Sequence, residues 1–437
     1  MMGKEPDGKG LAMIRFRAKS KKLVLILAAA SLAVAGLILG LAWRLGWFAA
    51  AASPLQVGLP GSAAGSAGHY QIAEKETEPL RQRMLTLLKG SGGLAGWYRL
   101  AGKYGTPAAE RSADYLAADQ LRYGQYFLEQ DDHKAFQTWW QSFRSAYWTA
   151  AGLVRAMAAT PESEITAADD FWRTNLTAAR LLAQSCSRWP DRQRRTDLDK
   201  LSARLLELAD QALAADYAAA VPTAGPTPDP AATPTPKPSL APTPETEPTL
   251  SVLRLASLDL YAMQQLAQLD PRWQTLYEQA LQIVRDGYLS DALPLYALAY
   301  AENQGGYVFF NGDTPAIDTE ESLLVLLHLA EAGQDVTRGL SWLRDQMYNQ
   351  HALYASYHIT QGQAVSSEEC LAAYALAARL ARIVADEDLY QAVTQRLLWH
   401  QATNQRSAAL SAIFREDASG LIRVTAADNT WALLALR

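Results

Sequence analysis

Cysteine and histidine are scarce in this chain, which has two of the first and six of the second among 437 residues. Cys186 and Cys370 are too few and too far apart for a metal motif or a disulfide framework. Both lie in apolar helical patterns, as buried thiols do. Charge is thin as well, at 19% of residues with a net of −5. It is unevenly spread: the first 22 residues hold Lys4, Lys9, Arg15, Arg17, Lys19, Lys21 and Lys22 against Glu5 and Asp7, a net of +5, which leaves −10 for the rest. So acidic a body lacks the basic face that nucleic-acid binders use, so no nucleic-acid partner is expected. No long run alternates with period 2, which argues against a sheet core. No fixed period recurs with signature residues, which argues against a helical-repeat array.

What is abundant is apolar and aromatic. Hydrophobic residues make up 49%, with 12 Trp and 19 Tyr against 9 Phe, which excludes a disordered chain. Leu23 to Trp43 (LVLILAAASLAVAGLILGLAW) carries no charge and, as a helix, is long enough to cross a ~30 Å hydrocarbon core. The basic residues before it place 1–22 in the cytoplasm and the body outside. A cleaved signal peptide ending near Ala49 to Ser53 is the alternative, although secretory apolar cores are usually shorter, ~7–15 residues. Residues 54–73 read as a flexible Gly/Ser/Ala/Pro tether. Ten of the 20 prolines fall between Pro222 and Pro248, so 221–250 is expected to be an exposed Pro/Thr-rich segment.

The remainder reads as helix after helix: 74–89, 112–129, 133–149, 166–187, 197–219, 253–268, 271–287, 291–301, 318–332, 336–347, 367–384, 387–402 and 427–436. Some stretches, such as LTAARLLA (176–183), LLVLLHLA (323–330) and LAAYALAARLA (371–381), are apolar nearly all round. Others, such as 201–217 and 389–401, have one wet face. Buried helices alternating with half-buried ones are what a double ring needs. The expected fold is therefore an all-α (α/α)6 toroid over 74–437, with a helical solenoid as the alternative. The Pro-rich segment then becomes an insertion in one domain.

Acidic residues cluster where inner-type helices begin: Asp169 and Asp170, Asp318 with Glu320 and Glu321, Glu368 and Glu369, and Asp428. Asp119 lies in AADQLRYGQYF. Helix capping explains such residues one by one. Parallel inner helices would also gather them at one mouth, where carboxyls can act as acid and base on a glycosidic bond. The surplus of Trp and Tyr suits a sugar cleft, although most aromatics serve the core.

Longer stretches carry a resemblance. AIDTEESLLVLLHLAEAGQ (316–334), WLRDQM (342–347), LYASYHITQGQAVSSEECLAAYALAARLARIVADEDLY (353–390) and DNTWALLALR (428–437) resemble the C-terminal half of bacterial glycoside hydrolase family 8-like proteins. The likeness is closest to a membrane-anchored or lipoprotein branch found near exopolysaccharide genes in Gram-positive bacteria. Residues 255–284 and 291–300 resemble that family's middle. AADQLRYGQYFLEQDDHKAFQTWW (117–140) and ITAADDFWRTNLTAARLLA (165–183) resemble its N-terminal motifs. The resemblance implies a six-hairpin glycosidase that cuts a β-linked cell-surface or exopolysaccharide with inversion and needs no cofactor. It implies Asp119 as general acid, Asp318 as base and Asp169 or Asp170 as a sugar ligand. Tyr123, Trp172, Tyr307 and Tyr357 are the aromatic substrate-binding candidates. Asp stands at 119 where the family has Glu, and Arg122, three residues on, would share its helix face. A catalytically degenerate glycan-binding or secretion-scaffold protein on the same toroid is the alternative.

Overall fold

The computed structural model describes residues 55–58, 74–102, 108–157, 171–220, 252–301, 306–310, 314–417 and 419–436, with the backbone alone for Glu74, 210–220 and Val252. The expected cytoplasmic tail, membrane anchor and Pro-rich insertion, like Asp169 and Asp170, lie outside these residues. Among the described residues, no helix is long and apolar enough to cross a membrane.

Among the described residues twelve α-helices follow one another: α1 (Glu74–Leu88), α2 (Ala117–Glu129), α3 (His133–Tyr147), α4 (Phe171–Arg188), α5 (Arg192–Ala220), α6 (Leu260–Leu266), α7 (Arg272–Asp286), α8 (Thr319–Glu331), α9 (Thr337–Asp345), α10 (Leu371–Ile383), α11 (Glu387–Leu398) and α12 (Ala426–Leu436). The even-numbered helices form the inner ring. Each packs on the next, α2 on α4, then α6, α8 and α10, and α12 closes the circle against α2. The odd-numbered helices lie outside, with α1 on α12, α3 on α2, α5 on α4, α7 on α6 and α11 on α10. Gly339 of α9 faces Leu326 of α8 so closely that a Cβ there would collide with it.

Side-chain distribution explains the two rings. Every residue of α10 from Leu371 to Ala381 is buried, as are those of α12 from Asp428 to Leu436. Their many alanines let inner helices approach closely on several sides. Outer helices bury a single stripe: Phe136, Trp140, Phe143 and Tyr147 on α3, and Trp273, Tyr277, Ala280 and Val284 on α7, both spaced i, i+4, i+7, i+11. Trp273 is wholly buried and donates from Nε1 to Ser202 Oγ at 2.8 Å, which ties α7 to α5.

The expected helix over 291–301 is absent. Pro294 interrupts that apolar run and cannot donate to a helix ladder. The chain instead turns, with Leu289 N–H donating to Leu295 O at 2.9 Å, and then enters the strand Ala299–Ala301. Short antiparallel sheets of two to four strands are built from the connections. Two strands run straight into inner helices. Ala316–Asp318 pairs with Ser356–His358, Ile317 opposite Tyr357, and leads into α8. Ile422–Thr425 pairs with Trp97–Arg99, Val424 opposite Tyr98, and leads into α12. These strands fix where the two helices begin, and so where Asp318 and Asp428 stand.

Part of the expected tether is docked. Leu55 and Val57 are buried, Ser187 Oγ donates to Leu55 O at 2.7 Å, and Gln268 Nε2 donates to Gln56 O at 3.2 Å. Those contacts lie at the C-terminal ends of α4 and α6.

Candidate active site

The inner helices run the same way. Residues from the first turns of α2, α8 and α12 influence one another electrostatically at one end, the mouth. Residues from the last turns of α2, α8 and α10 meet at the other: Arg379 Nη1 donates to Glu129 at 3.0 Å, and Arg379 Nη2 lies 3.6 Å from Glu331.

Asp318 is the N-cap of α8 and accepts the Glu321 N–H at 2.9 Å. It is solvent-exposed. The protein around it still disfavours its charge, so its carboxyl sits above the ordinary range, aided by the nearby Glu321 and opposed by that amide, Arg254 and Arg173. Glu321 is neutralised: both its oxygens accept from Arg173 Nη2 at 2.6 Å, and Arg254 Nε adds a contact at 3.2 Å. Burial would raise its carboxyl, but the two guanidiniums hold it below the usual range. Glu320, between them, is half-buried and makes no hydrogen bond among the described residues. Burial raises its carboxyl, with Asp318 and Glu321 adding to the effect and Arg122 and Arg173 opposing it.

Asp119, in the first turn of α2, is only 1% exposed, and its Oδ1 is held by Arg122 Nη2. Burial raises its carboxyl and outweighs the adjacent guanidinium, with the charge of Asp428 acting in the same direction as burial. The sharing of a helix face by Asp119 and Arg122 is thus realised, yet the pairing does not lower the group. Arg122 also donates to Thr430 Oγ1 at 3.1 Å and lies 5.1 Å from the Trp431 ring centroid. Asp428 is buried, with Arg415 Nε donating at 2.9 Å and Thr425 Oγ1 at 2.6 Å. With Thr425 N-terminal to the helix, this is a capping arrangement.

The aromatic candidates divide. Trp172 is half-buried in the first turn of α4, edge-on to Phe171 at 5.5 Å. Tyr307, also half-buried, donates its hydroxyl to Ile283 O at 2.9 Å. Tyr123 does not face the mouth: it is buried, accepts from Arg81 Nη1 of α1 at 3.3 Å and packs on Phe127. Tyr357 is 1% exposed, packed edge-on to Trp342 at 5.0 Å, with its hydroxyl accepting the Tyr354 N–H at 3.2 Å. Both belong to the core, where large rings bury most area, and neither offers a face to a sugar. The rings missed in the sequence are Phe309 and Phe310, which line a ≈ 420 Å³ groove with Asp318, Arg254, Ser356 and Val365. That is ligand-sized, whereas the bore of the toroid offers only ≈ 80 Å³.

Below the mouth the bore is closed by buried charge. Arg180 donates to both oxygens of Glu331 at 2.6 and 2.7 Å, and to Asp259 at 3.4 Å. Glu129 is held by Arg379 and lies 3.9 Å from Arg382. Asp259, His328 and Glu331 bring one potential metal-ligand atom each within 4.8 Å of one another. The Arg180 guanidinium occupies the place a cation would take there. His328 is held neutral, because burial lowers its pKa despite the nearby carboxylates.

No family model matches the chain, and no curated protein sequence does. Solved structures do. A structure described as a novel alpha-amylase from Clostridium perfringens is 19% identical with a TM-score of 0.64, covering 83% of this chain and 96% of that one. PssZ from Listeria monocytogenes is 14% identical with a TM-score of 0.53, covering 88% and 97%. Rex8A from Paenibacillus barcinonensis, complexed with xylose, is 14% identical with a TM-score of 0.51, covering 83% and 93%. Family 8 glycoside hydrolases are among the structural neighbours. At these identities the likeness establishes the fold, and the resemblance read from 316–437 holds at that level.

Proposed function

We propose that the chain is a glycoside hydrolase acting on a polysaccharide laid across the mouth of the toroid. The observation that carries this reading is Asp318: a fixed, solvent-facing carboxyl whose proton affinity is raised, standing in an aromatic-lined groove of ligand size. Raised affinity makes its carboxylate a better base toward water. The sequence resemblance implies a β-linked polymer and inversion, and one structural neighbour is described as an α-amylase, so both linkages enter the test. Purified protein incubated with carboxymethyl cellulose, xylan, amylose and the native exopolysaccharide is expected to release reducing ends from one of them. Saturable binding with no product from any would sink the hydrolase reading and leave the glycan-binding alternative.

The charge asymmetry around Leu23 to Trp43 supports a single N-terminal anchor with the toroid on the extracytoplasmic side. The protein is then expected to sediment with membranes and to be cut by protease added outside intact cells. Recovery in the soluble cytoplasmic fraction would contradict this.

A further inference from the structure

A general acid must come within ~2.6–3.2 Å of the oxygen it protonates. Asp119 is poorly placed for that, being 1% exposed and turned to Arg122. Glu320 is the more accessible carboxyl. It stands in the first turn of α8 at the mouth, is half-buried, and spends no oxygen on another side chain among the described residues. Its neighbour Glu321 is consumed by Arg173 and Arg254, so the adjacent acids are not equivalent.

Building on the glycosidase reading, we propose that Glu320, rather than Asp119, hands the proton to the leaving oxygen, and that Asp119 is a positioning residue that holds Arg122. In the step, the C1–O bond breaks as the Glu320 proton passes to the leaving oxygen. Water oxygen forms the new bond to C1, and the water's proton passes to the Asp318 carboxylate. Exchange with solvent then reprotonates Glu320 and deprotonates Asp318. The charged and titratable groups around Glu320 are Arg122 from α2, Arg173 from α4, Asp318 and Glu321 from its own helix, and Cys370 at the start of α10. Burial with two neighbouring acids, against two guanidiniums, leaves Glu320 protonated to higher pH than an ordinary carboxyl.

The test compares Glu320→Gln and Asp119→Asn in the full chain, in detergent, on the polymer that wild type cuts and on the matching 2,4-dinitrophenyl glycoside (β-cellobioside, β-xylobioside or α-maltoside). The dinitrophenolate leaves without protonation. Glu320→Gln is expected to lower kcat/KM on the polymer by about 10²–10⁴-fold and on the dinitrophenyl glycoside by less than about 10-fold. The alkaline limb of its pH profile should vanish, and Glu320→Asp should recover part of the polymer activity. Asp119→Asn should affect both substrates alike and keep the alkaline limb. The assignment is overturned if Glu320→Gln cuts polymer as wild type does, if it loses both substrates equally while keeping its thermal midpoint, or if Asp119→Asn is the variant that spares the activated substrate. A wild type that cuts none of the polymers instead removes the glycosidase reading, and Glu320 falls with it.

Discussion

Asp318→Asn is expected to lower turnover by about 10²–10⁴-fold and to leave stability within about 1 kcal/mol of wild type. The pairing of those outcomes is the point. Asp318 caps α8 by accepting the Glu321 N–H at 2.9 Å, and the side-chain oxygen of Asn does that equally well. The lost negative charge forfeits some attraction to the helix N-terminus, ~0.3–1 kcal/mol. A second effect opposes this. A carboxyl whose affinity for protons rises on folding favours the fold while protonated, and that contribution disappears as pH climbs through the raised value. At neutral pH the ionised Asp318 therefore works against folding, and Asn removes the penalty. Asp318→Ala should lose turnover and also about 1 kcal/mol of cap. Thermal melts beside reducing-end assays separate the two roles, and unchanged turnover in Asp318→Asn would remove Asp318 as the base. In wild type, kcat/KM should fall on the acid side as Asp318 takes up its proton, at a pH above the range of an ordinary carboxyl.

Spacing alone left capping and catalysis as competing explanations of the acid clusters, and the structure shows why sequence could not choose. Asp318 is a cap and also faces the groove. In Asp318-Thr-Glu320-Glu321, which glutamate stays free depends on Arg173 and Arg254, residues 148 and 67 positions away. No local pattern carries that. Ring architecture was legible because it rests on local periodicity: stretches apolar nearly all round within α4, α8 and α10 against the single wet face of 201–217 and 389–401. Tyr123 and Tyr357 were misplaced for the converse reason, since a tyrosine reads the same whether its ring meets a neighbouring helix or a sugar. The helix expected over 291–301 ignored Pro294. One signal was present and unread. Arg180 and Arg379 sit within the otherwise apolar LTAARLLA and LAAYALAARLA, and a charge on a buried helix has to find a partner.

That signal marks the site of the largest expected loss of stability. Arg180→Met should destabilise the toroid by about 3–5 kcal/mol, because it leaves Glu331 and Asp259 buried without their shared cation. Three acids in the bore (Glu129, Asp259, Glu331) face three arginines (Arg180, Arg379, Arg382), so removing one charge unbalances a space from which water is largely excluded. Arg379, 3.6 Å from Glu331, can compensate only by loosening its bond to Glu129. At ~2 °C per kcal/mol the thermal midpoint should fall by roughly 6–10 °C. Replacing the partner as well, in Arg180→Met with Glu331→Leu, should recover part of the loss, since an apolar pair of similar volume needs no desolvation of charge. With the guanidinium gone, Asp259, His328 and Glu331 become a competent set for a divalent cation. Zn²⁺ should then raise the midpoint of Arg180→Met and leave wild type unmoved. A variant as stable as wild type would mean that the bore is hydrated well enough to carry unpaired carboxylates, and the closed floor assigned to the mouth would have to be abandoned.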